Sequence, residues 1–152
     1  MKSSLKFMAN IFYDQITLFG GLIFYVFVLG LCLILNLMFL FNNLLISLIL
    51  VMLLSTLIKY FYLKERPKKQ KKDSLLQRLD ASSFPSVHTM RAFSLAFWFS
   101  MFYSNTIITI YILIIALLVI YSRIYLKKHY LTDVIIGLIF SVIINLIIWW
   151  YL

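Results

Sequence analysis

Cysteine is nearly absent from this chain. Cys32 is the single one in 152 residues, so no internal disulfide can form, and its place in an apolar run marks it as a buried small hydrophobe. Charge is scarce as well: charged residues make up 12% of the chain and hydrophobic ones 64%, with a mean hydropathy of +1.01. A soluble domain of this size has too little interior to hide that much apolar surface, which excludes a soluble fold and makes a bilayer the natural solvent. Acidic residues are the scarcest of the charged, 5 against 14 Lys and Arg, for a net charge of +9. There is no internal repeat and no low-complexity tract beyond a general richness in Leu and Ile. Nor does a small-residue cleavage site follow the first apolar run, which is too long for the core of a signal peptide.

What is present is a series of long apolar segments. A spanning helix needs roughly 20 apolar residues, and five stretches qualify: about 16–41, 44–63, 85–103, 106–125 and 131–151. Backbone groups in lipid must bond internally, which helices do in so few residues. The expected fold class is all-α: a polytopic membrane helix bundle of about five transmembrane helices, forming one domain over 1–152. Residues 1–15 mix Lys2 and Lys6 with Leu5, Phe7, Met8, Ile11 and Phe12, the spacing of a short N-terminal interfacial helix. Asn42–Asn43 and Ser104–Asn105 read as tight turns between antiparallel neighbours. Asn36 and Asn145 read as polar contacts between helices. The many Phe and Tyr residues read as lipid-facing or belt residues.

Following the chain from span to span gathers the ionisable residues at one membrane face. The polar stretch 64–84 joins the second and third spans, the next hairpin returns to that face near Arg123, and the last span departs near Leu131. The opposite face holds only Asn42, Asn43, Ser104, Asn105 and the 149–152 tail. Ionisable groups within spans are costly and point to function; Lys59, His88, Arg91 and Asp133 all lie in or beside predicted helices at one depth. Lys and Arg are enriched on cytoplasmic loops, so the charged face is expected on the cytoplasmic side of the cell membrane. The run Lys68, Lys69, Lys71 and Lys72 reads as that topology signal ahead of a site for anionic head groups. Leu75, Leu76 and Leu79 around Arg78 fit a short interfacial helix over the site or an irregular loop equally.

Three patches converge at the charged face. Lys59 is followed seven residues later by Arg66-Pro67; two helical turns would put both cations on one side, with Pro67 ending the helix and Arg66 extended. Pro85-Ser86-Val87-His88 reads as a helix start with proline in the first turn, whose free N–H groups and dipole make an anion site. Ser122-Arg123 precedes His129 and Asp133, which at i and i+4 meet on one helix face, where a carboxylate can hold an imidazole in one tautomer. Phosphoryl transfer needs cations around the equatorial oxygens, an in-line nucleophile and an acid for the leaving oxygen. Two imidazoles can divide the last two tasks.

In order and internal spacing, Lys59-x6-Arg66-Pro67, Pro85-Ser86-Val87-His88 and Ser122-Arg123-x5-His129-x3-Asp133 resemble the three signature motifs of the type 2 phosphatidic acid phosphatase and haloperoxidase superfamily. The motif core spans 59–133. One position departs: the family usually has glycine where this chain has Val87, and a positive φ there would not suit a β-branched residue. The resemblance implies a lipid phosphatase without metal or other cofactor. In it His129 attacks phosphorus to form a phosphohistidine, Asp133 orients it, and His88 protonates the leaving group. Lys59, Arg66 and Arg123 would bind the phosphate oxygens, Ser86 and the Val87 N–H would assist, and Ser122 would support Arg123. The family's usual membrane form is similar to a six-helix bundle, against which this chain is expected to be one N-terminal helix short. Residues 83–91 further resemble the polyisoprenoid diphosphate phosphatase branch, in which Arg91 would take a second phosphate.

Blander roles compete. A lone intramembrane histidine often serves only as a polar contact between helices, a reading that gives way for His88 and His129 inside the full pattern. For Arg91 a snorkelling structural role stands level with substrate binding. The implied partners are a lipid phosphate substrate and membrane lipids, with no nucleic acid. A phosphotransferase passing the phosphoryl group to an alcohol shares every motif with the hydrolase, and a non-enzymatic protein with a relic site would have lost one of His88, Arg123, His129 and Asp133. A haloperoxidase is excluded by size and hydrophobicity. Isoprenoid diphosphates lead the substrate candidates, followed by phosphatidate, phosphatidylglycerol phosphate and lipid monophosphates.

Overall fold

The computed structural model describes residues 2–68 and 81–151. Lys69, Lys71, Lys72 and the Leu75–Leu79 cluster around Arg78 lie outside the described residues. Among the described residues the regular structure is all helical: α1 Lys2–Ile16, a 3-10 turn Thr17–Gly20, α2 Leu22–Ile34, α3 Met38–Phe61, α4 Val87–Tyr103, α5 Thr106–Tyr125 and α6 Leu131–Tyr151. α3, α5 and α6 are each long and apolar enough to cross a bilayer, and Ser4–Gly20 with α2 meets the same test as a pair bent by 49°. Their outer faces carry exposed Ile107, Leu117, Ile139 and Ile143, side chains that only lipid can cover without cost. The chain is a helical membrane bundle.

The first hairpin turns earlier than Asn42–Asn43, which lie inside α3. The turn is at 35–37, where Asn36 takes a left-handed φ of 56° and the Leu37 N–H donates to the Cys32 carbonyl at 2.8 Å. That six-to-one bond with a left-handed residue before it is a helix-ending motif that asparagine tolerates. Asn36 is thus a turn residue and not an interhelical contact. Asn43 instead donates back to the Phe39 carbonyl within α3 at 2.7 Å. The Ser104–Asn105 turn stands as expected: Ser104 is left-handed (φ 46°), and the Asn105 side chain accepts from the N–H groups of Ile107 and Ile108 to cap α5.

α4 sits at the centre, packed against α3, α5 and α6. Its polar side chains are bearable there because they have partners. Asn145 of α6 accepts from Ser47 and Trp98 and donates to Ser94, tying α3, α4 and α6 together. The apolar core around this knot comprises Tyr25, Leu40, Leu44, Val51, Met90 and Trp98. α1 reaches the bundle through its C-terminal end: Tyr13 packs on Tyr121 and Tyr125 of α5, and Asp14 pairs with Lys128 at 4.0 Å. Its earlier residues are largely exposed, as an interfacial helix requires.

Candidate active site

The site lies where α3 and α5 end and α4 and α6 begin. α3 stops at Phe61, and Tyr62 is already extended (φ −135°, ψ 94°). The expected two-turn helical path from Lys59 to Arg66 is therefore corrected: the helix ends well before Pro67, and Arg66 is reached on non-helical backbone. That path is held by 82–83, which replaces the lost helical bonds. The Ser83 N–H donates to the Lys64 carbonyl at 2.8 Å, the Lys64 N–H donates to Ser82 Oγ at 3.3 Å, and Ser83 Oγ donates to the Glu65 carbonyl at 3.1 Å. Lys59 and Arg66 still line one cavity.

Ser86 occupies the N-cap position of α4 in an extended conformation, and Pro85 precedes it instead of occupying the first turn. The Ser86 N–H donates to the Asp133 carbonyl at 3.0 Å, while its hydroxyl accepts from Thr89 at 2.9 Å. Ser86 is fully buried behind the cavity wall; Val87 and His88 are on it. Val87 is the first helical residue and has no positive φ, so the glycine usual there is not needed on this backbone. What glycine supplies instead is Gly137 of α6. A Cβ there would stand 2.9 Å from the Ser86 carbonyl oxygen and 3.3 Å from its nitrogen.

His129 lies in the loop before α6, 3% exposed, with Asp133 fully buried in the first turn. Its Nδ1–H donates to the Ser83 carbonyl at 2.6 Å, leaving Nε2 without the proton. Asp133 Oδ2 is 4.0 Å from Nδ1, beyond hydrogen bonding. The expected i, i+4 pair is therefore looser than a triad, because His129 precedes the helix on which that spacing holds. Asp133 is engaged elsewhere: Oδ2 accepts from the Tyr130 N–H at 2.9 Å, and Oδ1 pairs with Lys64 Nζ at 2.6 Å. Burial, then the charges of Arg123 and Arg66, hold the His129 imidazole well below its ordinary 6.5, down to about 3, with the Ser83 bond acting the other way.

Arg123 is buried behind the wall, its Nη1 donating to Thr17 at 2.6 Å. Ser122 donates to the Val119 carbonyl at 2.6 Å within α5 rather than to Arg123. Arg91 is 5% exposed: its Nε donates to the Gly20 carbonyl at 3.0 Å, and it lines the cavity beside His88. Gly20 is required by this closeness, since a Cβ there would lie 2.8 Å from Val119 Cγ1 and 3.0 Å from the His88 carbonyl oxygen. Thr17, Gly20, Lys64 and the Ser83 carbonyl have no motif in the sequence. Of these, only Lys64 carried a signal, as a cation between Lys59 and Arg66.

The cavity holds about 820 Å³. Its wall carries Lys59, Arg66, His88, Arg91 and His129 together with Leu22, Ile23, Phe24 and Phe27 of α2 and Met52 of α3. Among the described residues no three His, Cys, Asp or Glu side chains gather as metal ligands. A cavity lined both by cations and imidazoles and by apolar side chains can receive a phosphorylated molecule with a hydrocarbon tail.

Fold and site thus define a membrane-embedded enzyme built to act on the phosphate of a lipid. The chain belongs to the PAP2 superfamily, whose family model matches residues 21–152, leaving α1 outside the match. It is a lipid phosphatase. The crystal structure of LpxE from Aquifex aeolicus is similar, with a TM-score of 0.78 and 25% identity, covering 93% of this chain and 85% of that one. No curated protein sequence matches the chain significantly.

Proposed function

We propose that the chain is a single-domain, metal-independent lipid phosphohydrolase working through a phosphohistidine on His129. The observation that carries this is the His129 imidazole, its Nδ1 fixed on the Ser83 carbonyl, standing on the wall of a cavity that also holds Lys59, Arg66 and His88. Nε2 attacks phosphorus, the phosphorus–oxygen bond to the lipid breaks, and His88 gives its proton to the departing oxygen. Water then attacks the phosphohistidine as His88 takes a proton from it, releasing phosphate and restoring both imidazoles. Lys59 and Arg66 on the cavity wall balance the charge on the equatorial oxygens, with Arg123 adding its charge from behind them and Ser86 and the Val87 N–H assisting at the start of α4. Asp133 stabilises the imidazole once it carries charge.

The substrate is an isoprenoid diphosphate or a phosphatidate-type lipid, its tail between α2 and α3. Arg91 supports the diphosphate reading as a further cation on the cavity wall beside His88, its Nε anchored on the Gly20 carbonyl. The site faces the cytoplasm, on the strength of cations such as Lys64, Lys68, Lys127 and Lys128 gathered at that end with no like cluster at the other.

The test is phosphate release in detergent with excess chelator, across mono- and diphosphate lipids and without an added alcohol. Expected are vanadate-sensitive release, an acid-labile phosphoenzyme absent from His129→Ala, and a Michaelis constant raised by Arg91→Ala more for diphosphates than for monophosphates. A strict divalent-metal requirement would sink the mechanism, release only with an alcohol acceptor would identify a phosphotransferase, and a uniform Arg91→Ala effect would make that residue structural.

A further inference from the structure

Lys64 belongs to none of the motifs, yet it is bonded to the segment carrying one acceptor for the Nδ1 proton of His129 and to the competing acceptor itself. Through its backbone it holds the segment that carries the Ser83 carbonyl: Ser83 N–H donates to Lys64 O at 2.8 Å and Lys64 N–H donates to Ser82 Oγ at 3.3 Å. Through its side chain it holds the carboxylate: Nζ is 2.6 Å from Asp133 Oδ1 and donates to Thr132 Oγ1 at 3.0 Å. The ammonium is fixed between two rings, 4.8 Å from the centre of Tyr130 and 5.8 Å from that of Phe84. Asp133 is fully buried and the Lys64 side chain 26% exposed, so this pair is not a surface ornament.

We propose that Lys64 is a positioning residue for the phosphatase reaction: by drawing the Asp133 carboxylate off the imidazole and partly cancelling its charge, it leaves the Nδ1 proton on the neutral Ser83 carbonyl and keeps Nε2 the bare, attacking nitrogen of the resting enzyme. The inference rests on His129 being the nucleophile. A carboxylate free to close the 4.0 Å gap to Nδ1 would favour the imidazolium, whose Nε2 is protonated and cannot attack. Among the described residues, charges facing His129 are Lys59 from α3, Arg66 from the segment after it, His88 from α4, Arg123 from α5 and Asp133 from α6. All of these but Asp133 and His88 are cations, so among them the carboxylate is the charge able to raise the imidazole's proton affinity, and Lys64 restrains it. Lys128, next in the chain to His129, is paired outward with Asp14.

The chain has 2 histidines, so in a His88→Gln background an NMR signal from labelled imidazole carbon reports His129 alone, whether or not the enzyme turns over. Lys64→Met should raise the titration midpoint by about one pH unit or more, the usual effect of an opposite charge within a few ångströms. Lys64→Arg should restore it. Lys64→Gln carries the same expectation as Lys64→Met should the latter not fold. With Asp133→Asn also present, Lys64→Met should leave the midpoint in place, because the charge it would unmask is gone. Curves for Lys64→Met and its parent that superimpose overturn the proposal, as does a shift that persists with Asp133→Asn. Turnover surviving in His129→Ala would remove the nucleophile reading instead, a result independent of any titration.

Discussion

At His129 a backbone carbonyl and a carboxylate stand around one ring nitrogen, and the carbonyl holds the proton. A carbonyl accepts that proton without the full pull that a carboxylate exerts on the charged ring, and although the Ser83 bond favours the charged form, burial with Arg123 and Arg66 outweighs it and takes the imidazole down to about 3. A nitrogen kept neutral stays nucleophilic on acidification. Activity is lost only as pH falls through the depressed folded value, so the acid limb of kcat/KM, corrected for the substrate's own ionisation, should lie below the ordinary 6.5. A pH–rate profile whose acid limb belongs to His129 and sits at or above that value would contradict the arrangement.

Among the elements, α6 sets the shape of the phosphate end by its close approach to the start of α4. Gly137→Ala should on propensity alone stabilise a helix by about 1 kcal/mol. Here the added Cβ meets the Ser86 carbonyl oxygen at 2.9 Å, backbone that cannot swing aside as a side chain can. Overpacking of that kind costs about 1–3 kcal/mol, so the clash outweighs the propensity. Gly137→Ala should lower thermal stability in detergent and reduce turnover by roughly tenfold or more, since displacements near 1 Å at a reacting centre have about that effect or larger. A more stable, fully active Gly137→Ala protein would show that α6 has room to move.

For the whole molecule, the question left by the charges is which side of the membrane they occupy. Lys68 lies at the site end, and Asn105 caps α5 at the other. In a Cys32→Ala background, a membrane-impermeant thiol reagent applied to intact cells should label Asn105→Cys and spare Lys68→Cys until the membrane is permeabilised. The reverse pattern would place the site on the outer face.

Composition settled the solvent, since 64% hydrophobic residues cannot be buried in one small soluble domain. Motif spacing pointed to phosphoryl chemistry, and the Lys59, Arg66, His88 and His129 it singled out do line one cavity. What a linear reading could not supply was local geometry that depends on distant partners. Asn36 and Asn42–Asn43 carry the same turn signal, and only packing chose the first. The path from Lys59 to Arg66 leaves the helix because 82–83 offers it hydrogen bonds from across the site. Ser83 enters through its carbonyl, a group every residue has, so nothing in its side chain could announce it. Lys64 and Asp133 are 69 residues apart, and a contact of 2.6 Å between them exists only once four helix ends have been brought together.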